Sequence, residues 1–282
     1  MERQGLAPSE RRGDLTFALP WQRNSEPVGS AAADLLRWLG AEIGRRITPR
    51  VALSYDELLP LFEKGEVHFA WLPPISFLRL RAARLVRTLY VNERNAALAF
   101  HAIIAVRSGS RHYSLDRLRG ARAAWVDPMS TTGYVLPRLD LAARGIDPRT
   151  TFSEDRFLGS HDAAARAVLE GRSDVFGTFA EYDGQRIARA GFTGMGSSSD
   201  WRVVLRGRES PSDVLAAHVS VDDALAGAMK QALSRALASP ETAKLVGDAL
   251  HVEAFGDADD ARYASLADAV DAAHREGLLP HL

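Results

Sequence analysis

The chain contains no cysteine. Disulfides, thiolate nucleophiles and thiolate metal sites are therefore excluded, and cysteine usage leaves the redox compartment open. An excess of either charge is also missing: 35 Lys and Arg stand against 36 Asp and Glu, a formal net charge of -1. Bulk electrostatics thus give no pull toward nucleic acid or an anionic membrane. No apolar run approaches the roughly 18 residues that a membrane span needs. The stretch Met1 to Asp14 holds Glu2, Arg3, Glu10, Arg11, Arg12 and Asp14 but no apolar h-region, so no secretory signal peptide is expected within it. The expected location is the cytoplasm, or the periplasm or cell exterior if an export signal is missing from this chain. No Ser/His/Asp order, no H-E-x-x-H spacing and no metal-ligand cluster is present, so no catalytic residue, metal or cofactor is expected.

What is present is ordinary globular material. With 282 residues, 46% hydrophobic and 25% charged, the chain is long enough for roughly two domains. Strand and helix signals alternate without a fixed repeat. Leu15 to Leu19 reads as a strand ended by Pro20, and Leu35, Leu36, Leu39 and Ile43 then share one helical face. Ser54 and Glu57 have capping-box spacing for a helix stopped by Gly65, with Pro60 predicting a kink or a later start. Further strands are predicted over 67–72, 102–106, 122–126, 174–178 and 201–205, and helices over 131–144 and 161–170. Ser220 precedes one C-terminal helix, Ser239-Pro240 opens another, and Tyr263 to Arg275 forms a third. The plan is α/β with mostly parallel sheets.

One region carries more information than packing requires. The apolar run Ala123-Ala124-Trp125-Val126 is stopped by Asp127-Pro128, and Met129-Ser130-Thr131-Thr132-Gly133-Tyr134 opens the next helical stretch. The first N–H groups of a helix have no internal partner and lie at the positive end of its dipole. Three hydroxyls placed there read either as a plain N-cap cluster or as a cradle for a phosphate-like anion that needs no lysine or arginine. Arg79, Arg81, Arg84 and Arg87 read as a solvated helix face, and Gly191 to Gly196 as a loop, since it lacks the G-x-G-x-x-G order and a preceding strand.

Taken with Gly159-Ser160-His161-Asp162-Ala163-Ala164 and Gly171-Arg172-Ser173-Asp174-Val175, the cradle resembles the phosphate/phosphite/phosphonate-binding proteins of ABC importers, a branch of the type II periplasmic binding proteins. The resemblance extends to Tyr55, to the strand Gly65-Glu66-Val67-His68-Phe69-Ala70-Trp71-Leu72-Pro73-Pro74, to Glu181 and to Ser210-Pro211-Ser212-Asp213, covering roughly residues 14 to 270. It implies two α/β lobes with the ligand cleft between them. Lobe one would be 14–102 plus 213–282 and lobe two 103–212, after a polar tail over 1–13. It also implies ligand contacts from Tyr55, Ser130, Thr131, Thr132, His161, Glu181 and Asp213, with an ABC permease and ATPase as partners. Two positions depart from the pattern: Phe100 replaces a tyrosine, and His68 replaces an aspartate and is expected to act on local structure.

The chemistry of that set points to a protonatable ligand. Two carboxylates would repel a phosphonate dianion, so Glu181 and Asp213 are expected to face a P–OH hydrogen or an ammonium on the organic part. Sulfate offers no such proton, and discrimination of about 10⁴ is attainable by leaving a buried acceptor unpaired. The expected function is reversible binding of a phosphonate, phosphite or phosphate for uptake. The alternative is a cytosolic sensor or a biosynthetic enzyme on the same fold, for which His161 and Glu181 are the general acid or base candidates.

Overall fold

Leu15, Phe17 and Leu19 of the first strand face one apolar layer and Ala18 faces another, so this strand is buried on both sides, as the interior of a covered sheet requires. The computed structural model describes residues 13–20, 30–52, 54–93, 99–250, 252–257 and 260–282. Most of the polar N-terminal stretch read from the sequence therefore lies outside the described residues. In chain order the elements are β1 (Leu15–Pro20), α1 (Ser30–Glu42), β2 (Ile47–Ala52), α2 (Leu58–Glu63), β3 (Phe69–Leu72), α3 (Pro74–Ala82), β4 (Val86–Glu93), β5 (Ala99–Arg107), β6 (Ala121–Trp125), α4 (Leu136–Ala142), α5 (Pro148–Thr151), β7 (Phe152–Phe157), α6 (His161–Leu169), β8 (Val175–Asp183), β9 (Arg186–Ala190), β10 (Trp201–Pro211), β11 (Val214–His218), α7 (Asp223–Ala238), α8 (Pro240–Leu250), β12 (Ala254–Gly256) and α9 (Asp260–Arg275).

Two sheets carry the two lobes. The first runs β12-β4-β11-β3-β1-β2, and the second runs β10-β5-β8-β6-β7 with β9 added to β8. Each sheet is covered on both faces. Leu35, Leu39, Met229 and Leu233 cover one face of the first, and Leu58, Phe62, Phe77 and Leu80 the other. In the second, Tyr134, Leu136 and Leu139 pack on one face, and Ala164, Val168 and Trp201 on the other. The expectation of mostly parallel sheets is corrected: only β1 with β2 and β3, and β6 with β7 and β8, pair in parallel. The remaining pairings are antiparallel: β5 and β11 enter their sheets after crossing between lobes, β9 closes a hairpin on β8, and β12 joins β4.

The crossovers are β4 to β5 and β10 to β11. All of β5 lies in the second sheet, so a boundary at residue 102 cuts through a strand. The C-terminal segment does not stay with the first lobe either. Tyr263 on α9 packs edge-on against Phe77 and donates its hydroxyl to the Ser212 carbonyl. Leu278 and Leu279 instead enter the core of the second sheet, where the buried Arg138 donates Nε to the Leu278 carbonyl and Nη1 to Asp155.

Local departures from the sequence reading have physical causes. Ser54 makes no side-chain cap; Tyr55–Glu57 form one 3₁₀ turn, and α2 starts only at Leu58, keeping Pro60 near its N-terminus where a missing N–H costs little. The four arginines do not share a helix face: Arg79 and Arg81 are on α3, Arg84 has φ 57°, and Arg87 is in β4. Asp222, rather than Ser220, caps α7 by accepting from the Leu225 N–H. His68 acts locally, as expected: its Nδ1 accepts the Thr16 N–H at 3.1 Å, joining β1 to the start of β3. Burial lowers its pKa below the usual histidine value, helped by Arg45 and His218.

Candidate functional site

Strands β1, β3 and β4 run in one direction and deliver their C-terminal ends to the same edge of the first sheet, where β11 begins. In the second sheet β6 and β8 are parallel, so the ends of both strands and the start of the antiparallel β5 lie together. Ligands of open α/β sheets bind at such carboxyl edges. The candidate residues are distributed along these two edges.

Beyond β6 the helical stretch starts irregularly. Thr131–Val135 form a single π turn before α4 begins at Leu136, a feature common at functional sites. Ser130 caps it, accepting the Gly133 N–H at 3.1 Å. Gly133 is required: a Cβ there would stand 2.6 Å from Ser130 Oγ and press on the Val126 side chain. Thr131 Oγ1 accepts the Ile75 N–H at 3.2 Å, a buried bond from the first lobe. Ser130, Thr131 and Thr132 are all buried. A hydroxyl that accepts a backbone N–H keeps its own hydrogen to donate. The N-cap reading and the cradle reading of these hydroxyls are therefore compatible.

Asp127 supports this turn from below. Its Oδ1 accepts the Met129 N–H at 2.8 Å, and its Oδ2 lies 3.5 Å from the Tyr55 backbone nitrogen in the other lobe. Burial pushes the Asp127 carboxyl above the usual carboxylate range, against the lowering effect of those backbone groups. Tyr55 is half-buried, with its ring between the cores of both lobes. Arg79 Nη1 meets Met129 Sδ at 3.0 Å and Asp56 at 3.2 Å. The first-lobe edge at Tyr55, Ile75 and Arg79 thus meets the hydroxyl turn directly.

The second cluster lies on β8. Ser160 caps α6 through the Ala163 N–H, which places His161 at the first helical position. Its Nδ1 shares a 2.7 Å hydrogen bond with Thr178 Oγ1, and its ring stands edge-on to Phe179. Gly191 makes room for this pair: a Cβ there would overlap Thr178 Oγ1 and come within 3.1 Å of the His161 Cβ. Phe100, the residue that departs from the resemblance, packs edge-on against the same Phe179 ring.

Glu181 is buried at 8% exposure and faces a cation supplied by the protein. Arg189 on β9 donates Nη2 to Oε1 at 2.6 Å and Nε to Oε2 at 3.2 Å. The charge of Glu181, expected from the sequence to face a proton on the ligand, is compensated here by that guanidinium. Asp213 is buried on the second crossover, with its carbonyl accepting the Asn92 N–H at 2.9 Å. Asn92 is fully buried, and neither its amide oxygen nor its amide nitrogen has a hydrogen-bond partner among the described residues.

The structure brings Tyr55 to Ser130, Thr131 and Thr132 through Asp127 and Ile75, and brings His161 and Glu181 to one Phe179 ring through Thr178 and Arg189. Asp213 sits on the crossover strand between the lobes. Sequence reasoning missed Asp127, Thr178, Phe179 and Arg189. Asp183-Gly184, with Gly184 at φ 58°, signals a hairpin, but regular pairing would set Glu181 against Ala188; a bulge between Glu181 and Tyr182 shifts its partner to Arg189. Among the described residues no cluster of His, Asp or Glu could hold a metal ion, and no helix is long and apolar enough to cross a membrane.

Comparison with known proteins gives this geometry its relatives. A Pseudomonas aeruginosa structure described as a binding protein component of an ABC phosphonate transporter superposes with TM-score 0.73 at 17% identity, over 90% of this chain and 84% of the other. PhnD1 from Prochlorococcus marinus, solved in complex with methylphosphonate, gives TM-score 0.73 at 14% identity, over 92% and 98%. A Xanthomonas citri protein solved bound to ATP gives TM-score 0.72 at 19% identity, over 95% and 98%. At these identities the superpositions establish the two-lobed periplasmic-binding-protein fold. Residues 17–263 match the family described as ABC transporter, phosphonate, periplasmic substrate-binding protein, and the chain belongs to that family.

Proposed function

We propose that this chain binds a small phosphorus oxyanion reversibly, as a phosphonate, phosphite or phosphate, and presents it to an ABC permease and its ATPase. The observation that carries this reading is the hydroxyl turn at Ser130, Thr131 and Thr132. Two of its oxygens already accept backbone N–H groups, so their hydrogens remain to be donated, and one of those N–H groups comes from the opposite lobe. An anion seated there would meet donors without an intervening lysine or arginine, and would favour closure of one lobe on the other.

Tyr55, His161, Glu181 and Asp213 complete the proposed set, with Glu181 acting together with Arg189. His161 is engaged by Thr178 and Glu181 by a guanidinium, a pairing that serves recognition rather than proton transfer. Binding without chemistry is the reading favoured, and the match to a periplasmic substrate-binding family supports a periplasmic or exported location. The test is a thermal-shift and calorimetric panel of phosphate, phosphite, methylphosphonate, 2-aminoethylphosphonate and sulfate, with the bound compound recovered and analysed afterwards. A ligand at 100 times its Kd stabilises by about 2.7 kcal/mol. A panel in which no phosphorus oxyanion shifts the melting temperature more than sulfate would refute the proposal, and a chemically altered compound would favour the enzyme reading.

A further inference from the structure

We infer that Arg189 sets ligand class in this cleft, selecting phosphonates whose organic group carries no ammonium over aminoalkylphosphonates; this rests on the oxyanion reading above. A lone buried glutamate at the end of β8 would attract an ammonium and bind it by charge-assisted hydrogen bonds. Here the attraction is already spent. Arg189 is the cross-strand neighbour of Glu181 on the β8–β9 hairpin and engages both carboxylate oxygens, at 2.6 and 3.2 Å. An incoming ammonium must either displace a bidentate guanidinium or lie beside a second cation, and both are unfavourable.

The guanidinium is also held from its other side. It stacks over the Phe179 ring with its carbon 5.0 Å from the centroid, and Phe179 in turn packs edge-on against Phe100 and His161. Phe179 and Glu181 alternate on one face of β8, so Phe100, Phe179 and Arg189 make one continuous surface. That surface presents two rings and a neutralised ion pair. Along the same strand, Gly177 abuts the Gly133 carbonyl of the hydroxyl turn and Thr178 holds His161. His161, one of the proposed anion contacts, stands edge-on to the same Phe179 ring that the guanidinium covers, so the Glu181–Arg189 pair lies one ring away from the proposed anion. An alkyl group gains apolar contact there, and an ammonium meets a Glu181 carboxylate already engaged by Arg189.

The experiment compares methylphosphonate and 2-aminoethylphosphonate by calorimetry on the full chain, on Arg189→Gln and on the double variant Arg189→Gln with Glu181→Gln. The double variant guards against misfolding, because it removes both charges and leaves no carboxylate buried alone. The parent is expected to favour methylphosphonate by at least tenfold. Arg189→Gln should move the ratio at least tenfold toward the amine by exposing Glu181, and the double variant should abolish that gain. Equal or tighter binding of the amine by the parent would overturn the inference, as would a ratio that Arg189→Gln leaves unchanged while both ligands still bind. Absence of binding by every phosphorus oxyanion to all three proteins would instead refute the oxyanion reading and this inference with it.

Discussion

The Ile75 N–H donates to Thr131 Oγ1 across the gap between the lobes, a buried hydrogen bond joining the start of α3 in one lobe to the π turn of the other. Threonine supplies both halves of what this position needs, an acceptor for Ile75 and a hydrogen for the proposed anion. Thr131→Val keeps the shape and removes both. Affinity for the best-binding oxyanion should fall by about 1.5–3 kcal/mol, the range for a hydrogen bond to a charged group, while Thr131→Ser should retain most of it. Calorimetry on both variants checks this; a loss in Thr131→Ser with none in Thr131→Val would assign the effect to packing by the methyl group.

Gly191 tests the placement of His161 from outside the cleft. In Gly191→Ala the new methyl group meets Thr178 Oγ1, so either Thr178 turns away or β8 shifts. Overpacking of this kind costs about 1–3 kcal/mol of stability. The His161 imidazole should lose its Thr178 partner, visible as a change in its ring-nitrogen chemical shifts. A variant with parent-like stability and unchanged His161 resonances would contradict the close approach.

His68 predicts how stability depends on pH. Its folded-state pKa is lowered, chiefly by burial, so the unfolded chain binds a proton that the folded one resists. Its contribution is fully present above pH 6.5 and is lost as pH falls through that value toward the lowered folded pKa. His68→Asn keeps an acceptor for the Thr16 N–H and does not titrate. Urea unfolding at pH 7.5 and pH 5.5 should therefore show a smaller drop for the variant than for the parent, and identical drops would remove His68 as a cause.

Asn92 offers the opposite experiment. A buried carboxamide with both atoms unpartnered among the described residues is a liability, and a shape-matched apolar replacement removes it. Asn92→Leu should raise unfolding stability by about 1 kcal/mol. Denaturant melts decide the sign, and a loss of stability would mean that the amide makes interactions the folded chain depends on.

The sequence shows these features unevenly, for physical reasons. The hydroxyl turn, the Ser160 cap and the central strands are legible because local grammar specifies them: an apolar run, a breaker, then capping residues. The edge strands β2 and β7 are not. Pro49 lies within β2, which tolerates it only because β2 ends its sheet and spares that N–H, while β7, Phe-Ser-Glu-Asp-Arg-Phe, is polar because it ends the other. β4 is hidden because Arg87 extends the arginine spacing of α3, which suggests one helix face until Arg84 turns the chain with positive φ. At the site, the residue types of the hydroxyl turn were evident from their order. What Glu181 faces was not, because Arg189 comes to it only through hairpin pairing.

The docking of residues 278 and 279 against the second lobe bears on how the protein is made. Arg138 and its carbonyl partner at Leu278 are separated by 140 positions. During synthesis from the N-terminus, the central lobe will have emerged with its strands and helices complete, yet with an apolar trough beside Tyr134 and Leu136 still uncovered. That trough must stay open while the returning strand and helices of the first lobe are added. The lobe that begins second is therefore the one sealed last, and its exposed trough is where a nascent chain would need protection from premature association.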